Sequence, residues 1–132
     1  MTEVPHSEGV LLGGDLNGHV GTDRSGFEDV MGGFGFGERN GEGEDILEFC
    51  QSQRLRIINT VFQKSREKLI TYKSGGAETQ IDFILMRKMD NICQKNCTVI
   101  PGEACLTQHR LLRLELTVKG RRKMKRERES KE

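Results

Sequence analysis

Gly9-Val10-Leu11-Leu12-Gly13-Gly14-Asp15-Leu16-Asn17-Gly18-His19-Val20-Gly21 is the segment that sets the reading of the fold. Val10 to Leu12 is short, apolar and partly β-branched, and two glycines follow it, so it is expected to form a buried strand that stops there. An acid and an amide, Asp15 and Asn17, then arrive two residues apart at the strand's end. In α/β folds that is where chemistry is placed, because the strand end is rigid while the loop after it is free to be polar. Glycines at 13, 14, 18 and 21 let the backbone turn sharply and let a ligand approach closely. An Asp-x-Asn also has a plain structural use, since short polar side chains cap turns by bonding their own backbone. The pair alone decides nothing, and the rest of the chain has to be weighed with it.

A chain of 132 residues fits one domain able to bury a core. Residues 1–118 read as the folded part and residues 119–132 as a charged tail. With 34% hydrophobic and 31% charged residues, 16 glycines and two prolines, the composition is that of a globular chain with long turns, not a disordered one. No apolar run approaches bilayer length, and Met1 to Ser7 lacks the basic start and apolar stretch of a secretory signal. The expectation is an intracellular protein with no membrane partner, and cysteines 50, 93, 97 and 105 as reduced thiols. Cys93-x3-Cys97 with Cys105 nearby is compatible with zinc. The better reading is structural, because the three alternate with hydrophobic neighbours and Cys50 lies in an apolar helical pattern. The net charge of +1 conceals an asymmetry: residues 119–132 hold eight Lys/Arg against three Glu, which leaves an acidic body behind a basic tail. Such a tail suits phosphate contact or nuclear import, and equally a solvated, partly helical end.

Thr22 to Gly43 is glycine-rich, with Phe27, Phe34 and Phe36 scattered through it, and reads as a long ordered loop pinned by its aromatics. Its Gly-Phe-Gly-Phe-Gly is no phosphate cradle, since no Gly-Lys-Ser/Thr follows. Glu44 to Arg54 is the clearest helix: Ile46, Leu47, Phe49 and Cys50 make an apolar stripe, and Glu44 and Asp45 suit its positive end. Strands are expected at Arg56–Thr60, at Lys68–Tyr72, at Gln80–Met86, at Cys97–Pro101 and at Leu111–Val118. The turn Ser74–Glu78 should join the second of these to the third as a hairpin. One helix among several strands with non-local pairing argues for an α/β layer architecture.

Two polar points interrupt this pattern. Asp82 breaks an otherwise apolar strand, and a carboxylate there needs a donor or a cation. Thr107-Gln108-His109 sits directly before the last strand. A histidine held by a buried aspartate keeps one tautomer and can hold positive charge against a phosphate. Each also has a structural reading: Asp82 paired with a backbone amide or an arginine, and His109 as a satisfied loop histidine.

The order of the motifs adds what single residues do not. Gly-Asp-Leu-Asn-Gly-His-Val-Gly (14–21), Gly32 to Asn40, Leu-Glu-Phe-Cys (47–50), Asn59-Thr60-Val61-Phe62, Thr71-Tyr72-x-Ser-Gly-Gly, Gln80-Ile81-Asp82 and Gln108-His109-Arg110-Leu111-Leu112 follow one another along the chain. This series resembles the endonuclease/exonuclease/phosphatase superfamily. Within it, the likeness is to the endonuclease domains of non-LTR retrotransposons and to craniofacial development protein 2-like sequences. The resemblance runs from about Val10 to Val118. It implies that Asp15 orients or deprotonates the attacking water and that Asn17 holds that water or a phosphate oxygen. It further implies that Asp82 fixes the ring of His109, and that His109 stabilises charge on the phosphoryl oxygens. Phosphodiester cleavage needs those functions and a divalent cation, here Mg2+ or Mn2+ given oxygen donors, and no organic cofactor. The resemblance also makes the hairpin Lys73, Ser74, Gly75, Gly76 and Thr79 a DNA contact.

Two departures shape the expectation. Gln108 stands where the family has an aspartate in its metal site. The family's principal metal-binding glutamate lies in an N-terminal half that precedes the Gly-Asp-Leu-Asn strand, and only nine residues precede Val10 here. The fold expected is therefore the C-terminal half of a four-layer α/β sandwich, with an apolar face exposed and a sheet edge unpaired. The function expected is that of a metal-dependent DNA endonuclease, nuclear, weak or inactive until the missing N-terminal half joins it. Two alternatives stand beside it: a non-catalytic nucleic-acid or chromatin binder, and a small-molecule phosphoesterase on the same scaffold.

Overall fold

The computed structural model describes residues 9–89, 91–100 and 108–119. Strands β1 (Leu11–Asp15), β2 (Leu55–Ile57) and β5 (Asp82–Arg87) form a three-stranded antiparallel sheet with β5 in the middle. Helix α1 (Gly41–Gln53) lies on one face of it. Strands β6 (Ile92–Ile100) and β7 (Leu111–Val118) pair antiparallel and pack on the other face. Strands β3 (Tyr72–Ser74) and β4 (Ala77–Thr79) make a small hairpin between β2 and β5 in sequence. The described chain is α/β, as its pattern predicts.

Because side chains alternate across a strand, β5 serves two cores at once. Phe83 and Leu85 point into a cluster with Leu47, Cys50, Leu55, Ile57, Val20, Phe27, Val30 and Met31, and this cluster is the helix side. Met86 points the other way, to Ile58 and Cys97, with Ile84, Phe62, Ile92, Leu112 and Leu114 packed around them. The helix stripe is as expected, with Leu47 and Cys50 fully buried and Ile46 and Phe49 half-buried beside them. The long loop is pinned by Phe27, Val30 and Met31, while Phe34 faces solvent and Phe36 lies under the Arg66 guanidinium.

Several boundaries differ from the expectation, each for a local reason. Strand β1 is exposed at every residue, because among the described residues it pairs with β5 alone and stands at the sheet's edge. It also continues through Gly13 and Gly14 to Asp15, since Ile84, Phe83 and Asp82 supply ladder partners along its length. The helix starts at Gly41, earlier than Glu44, because the Asn40 side chain accepts from Gly43 N–H at 2.8 Å and caps it. The strand expected at Arg56–Thr60 ends at Ile57 and turns into a 3-10 turn, Ile58–Thr60, in which Thr60 Oγ1 donates back to Ile57 O at 2.7 Å. At Lys68–Tyr72 the chain instead makes a 3-10 turn, Arg66–Lys68, before β3, because the Leu69 and Ile70 N–H groups both bond Arg66 O. The hairpin is closed by Ala77–Thr79, inside the expected turn, so β5 is free to pair with β1 and β2. Strand β6 begins at Ile92, five residues before the expected Cys97, while Pro101 lies outside the described residues. A bulge between Gln94 and Asn96 puts Cys93 in solvent and Cys97 in the core, so the two do not share a site. Cys105 and nearly all of the basic tail lie outside the described residues.

Among the described residues no helix is long and apolar enough to cross a membrane.

Candidate active site

Asp15 and Asp82 are cross-strand partners in the β1–β5 ladder, so their side chains leave the same face of the sheet. Two like charges placed directly opposite repel unless something positive stands between them. His109 is brought to that position by a separate route. The segment before β7 adds to the free side of β3: Lys73 N–H donates to Gln108 O at 3.0 Å, Arg110 N–H donates to Thr71 O at 2.8 Å, and Tyr72 pairs with His109. The imidazole then reaches both acids. Its Nδ1 is 2.9 Å and 3.1 Å from the two Asp82 oxygens, and its Nε2 is 3.6 Å from Asp15 Oδ2. Ligand atoms from all three residues lie within 4.8 Å of one another. Nδ1 facing a carboxylate must carry its proton, which fixes the tautomer. The Tyr72 ring meets the imidazole edge-on at 4.9 Å and limits its rotation.

Asp15 divides its two oxygens. Oδ1 accepts from Asn17 N–H at 2.9 Å, which is the turn-making role such residues often play, and it holds Asn17 at a positive φ of 53° that asparagine tolerates. Oδ2 is the one turned toward His109. The structural and the functional readings of the Asp-x-Asn pair thus both apply, one per oxygen.

Asp82 is positioned through its backbone. Thr71, fully buried, accepts on Oγ1 from the N–H groups of Ile81 and Asp82, at 3.0 Å and 3.1 Å. Asn59, also buried, donates from Nδ2 to Asp82 O at 3.0 Å and accepts on Oδ1 from Ile84 N–H at 3.1 Å. Pattern alone assigns no role to Thr71, Tyr72 or Asn59. For Asn59 a signal is present, a polar residue inside β-branched, apolar surroundings, where an unsatisfied group would be costly.

The remaining expected residues lie around this centre. Gln108 is exposed and adjoins His109 in sequence, tied by its backbone to Lys73. In the hairpin, Gly75 takes a φ of +59° at the first position of a two-residue turn, and Thr79 pairs with Tyr72. Lys73 Nζ is 3.0 Å from Glu78, and Arg66 reaches the same carboxylate at 2.7 Å. Hydrogen bonds from Arg66 and then Lys73 hold the Glu78 carboxyl below the usual carboxylate range. Burial pushes the thiols of Cys50 and Cys97 up to about 12 and about 11, which suits core residues and not metal ligands.

As a donor set, the cluster fits a divalent cation through Asp15. Both Asp82 oxygens face His109 Nδ1, while Asp15 Oδ2 is beyond good hydrogen-bond distance from the ring. Mg2+ commonly takes one or two carboxylates and completes its shell with waters and substrate phosphate.

Two curated relatives are similar to this chain. Craniofacial development protein 2 of Bos taurus is 33% identical over 111 residues, covering 83% of this chain and 18% of that protein. Craniofacial development protein 2 of Tragulus javanicus is 32% identical over 111 residues, covering 83% of this chain and 19% of the relative. The chain therefore spans less than a fifth of the length of these relatives. No family model matches the chain, and no solved structure matches it. Over 83% of its length, the chain is a homologue of part of craniofacial development protein 2.

Proposed function

We propose that the chain carries the nucleophile-activating and charge-stabilising part of a metal-dependent DNA endonuclease. The observation that carries this reading is the convergence of Asp15, Asp82 and His109 from three separate parts of the chain, with ligand atoms within 4.8 Å. In this reading Asp15 orients the attacking water, and Asn17 holds that water or a phosphate oxygen beside it. Asp82 keeps His109 in one tautomer, and the imidazolium offsets charge that builds on the phosphoryl oxygens. Two carboxylates and one imidazole leave the site negative, and a phosphodiester adds more charge, so a cation is required. Mg2+ or Mn2+ held by Asp15, with Gln108 beside it, would neutralise the phosphoryl oxygens. The hairpin Lys73 to Thr79 lies next to His109 and would meet the DNA backbone. The likeness to retrotransposon endonucleases supports the substrate and a nuclear site of action. Gln108 offers a neutral amide where a second carboxylate would bind a cation more tightly, so nicking by the chain is expected to be weak.

Nicking of supercoiled plasmid in Mg2+ or Mn2+ tests this. Wild type should nick slowly, chelation should stop it, and Asp15→Ala and His109→Ala should each lower the rate by roughly a hundredfold or more. Equal rates in wild type and both variants would remove these residues from the site.

Two observations favour a second reading. Gln108 stands where the resembled family has an acid, and Glu78 already pairs with Arg66 and with Lys73 of the hairpin. A non-catalytic nucleic-acid binder is the function that tolerates both. Salt-sensitive DNA binding with no metal-dependent nicking is its signature.

A further inference from the structure

Strand β2 stops pairing before β5 does. Their register runs from Leu55–Arg87 to Ile57–Leu85, and two more steps would set residue 59 opposite Phe83. The backbone has by then turned away into Ile58–Thr60. The groups of β5 that a longer β2 would bond, Asp82 O and Ile84 N–H, are met by the Asn59 side chain instead. A carboxamide has the donor and acceptor of a peptide group, so Asn59 completes the ladder in place of the missing strand. Asn59 is itself 4% exposed, and its own carbonyl accepts from Gln80 Nε2 at 3.5 Å. Gln80 in turn accepts on Oε1 from Phe36 N–H. The Asn59 side chain thus bonds β5, while its backbone carbonyl is tied through Gln80 to the long loop.

We propose that Asn59 is a positioning residue for the Asp82–His109 pair: it sets where β5 begins, and thereby where the Asp82 carboxylate meets the imidazole. Its importance to catalysis rests on the endonuclease reading above, but the positioning does not. Without Asn59, Asp82 keeps only the Thr71 hydroxyl on its N–H side, and its carbonyl side is released.

The test uses the whole chain without metal or DNA and reads the ring nitrogens of His109 by 15N NMR. In wild type, Nδ1 should carry its proton, visible as a downfield one-bond 1H–15N signal. In Asn59→Ala that signal should weaken or vanish, because Nδ1 no longer has a fixed carboxylate partner. Leu47→Ala, a core truncation on the helix side, should lower the melting temperature while leaving the His109 signal as in wild type. If Asn59→Ala does not fold, Asn59→Asp is read in the same way, since it keeps an acceptor for Ile84 N–H and loses the donor to Asp82 O. An unchanged His109 signal in the folded Asn59 variant, or the same loss in Leu47→Ala, overturns the proposal. In the nicking assay, Asn59→Ala should lower the turnover rate by roughly tenfold to a hundredfold with little change in KM, as misplacement of a reacting group does. A chain that never nicks but loses the His109 signal in Asn59→Ala would refute the nuclease reading while upholding this one.

Discussion

Asp15 shows how much one residue can carry: one oxygen makes the turn that sets Asn17, and the other faces the imidazole. Asp82 was legible as an anomaly, because a carboxylate in an apolar strand needs a partner. That His109 is its partner came from motif order and not from spacing, since 26 residues lie between them, several outside the described part. Thr71 was illegible as a positioning residue, because a threonine in a β-rich run is unremarkable by pattern. Its hydroxyl nonetheless accepts two backbone N–H groups at the edge of the site. Thr71→Val keeps the shape and removes the acceptor, so it should destabilise the chain by about 1–3 kcal/mol for the buried donors left unpaired. Chemical denaturation reads this directly. The thiols give a second residue-level prediction. Cys50 and Cys97 are buried with raised pKa values, whereas Cys93 is exposed. Iodoacetamide should therefore label Cys93 in the native protein near pH 8, and Cys50 and Cys97 only after unfolding, as peptide mass analysis would show.

At the scale of elements, α1 and β7 were legible because their periodicity is clean, and the chain between Leu55 and Thr79 was not. There, apolar β-branched residues fill 3-10 turns because side chains such as Asn59 and Thr60 satisfy the backbone that a strand would otherwise pair. Helix α1 is fastened to the loop after Asp15 at one point. Asn40 Oδ1 accepts from both Gly43 N–H and His19 N–H, and His19 O accepts from Asn40 N–H. Asn40→Ala should cost about 0.5–2 kcal/mol as a lost cap. Gly43 presses directly on the His19 carbonyl, so a Cβ there has no room. Gly43→Ala, which in a free helix would stabilise, should destabilise here by about 1–3 kcal/mol, measured as a fall in melting temperature. At the β3–β4 hairpin, the Glu78 carboxyl is held low by Arg66 and Lys73. Its contribution to stability is complete above the ordinary carboxylate range and is lost as pH falls through the lowered value. Thermal unfolding followed down through acid pH should show that loss in wild type and less of it in Glu78→Gln.

At the scale of the molecule, one sheet works as a partition. One face builds the helix-side core, and the other face bears Asp15 and Asp82 at one end and the β6–β7 layer at the other. The α/β class was legible from the alternation of elements. An open sheet edge was expected from the resemblance, but that β1 forms it was not legible, because an apolar run reads as buried whichever side of it is paired. That edge leaves Leu11, Leu12 and Leu16 in solvent. Beside it, a groove of about 520 Å³ is lined by Leu12, Gly14, Leu16, Ile46, Phe49 and Phe83. An unpaired apolar edge promotes association. Leu11→Lys should lower light scattering of concentrated protein while leaving the melting temperature within a few degrees.

In the proposed function Asp82 acts only through His109, in one site with Asp15. Plasmid nicking rates for wild type, Asp82→Ala, His109→Ala and the double variant measure it, because groups that act as a unit are non-additive. Metal-dependent nicking is expected in wild type, with a large loss in each single variant and no further loss when the two are combined. Independent, multiplicative losses, or nicking that survives both substitutions, would contradict it.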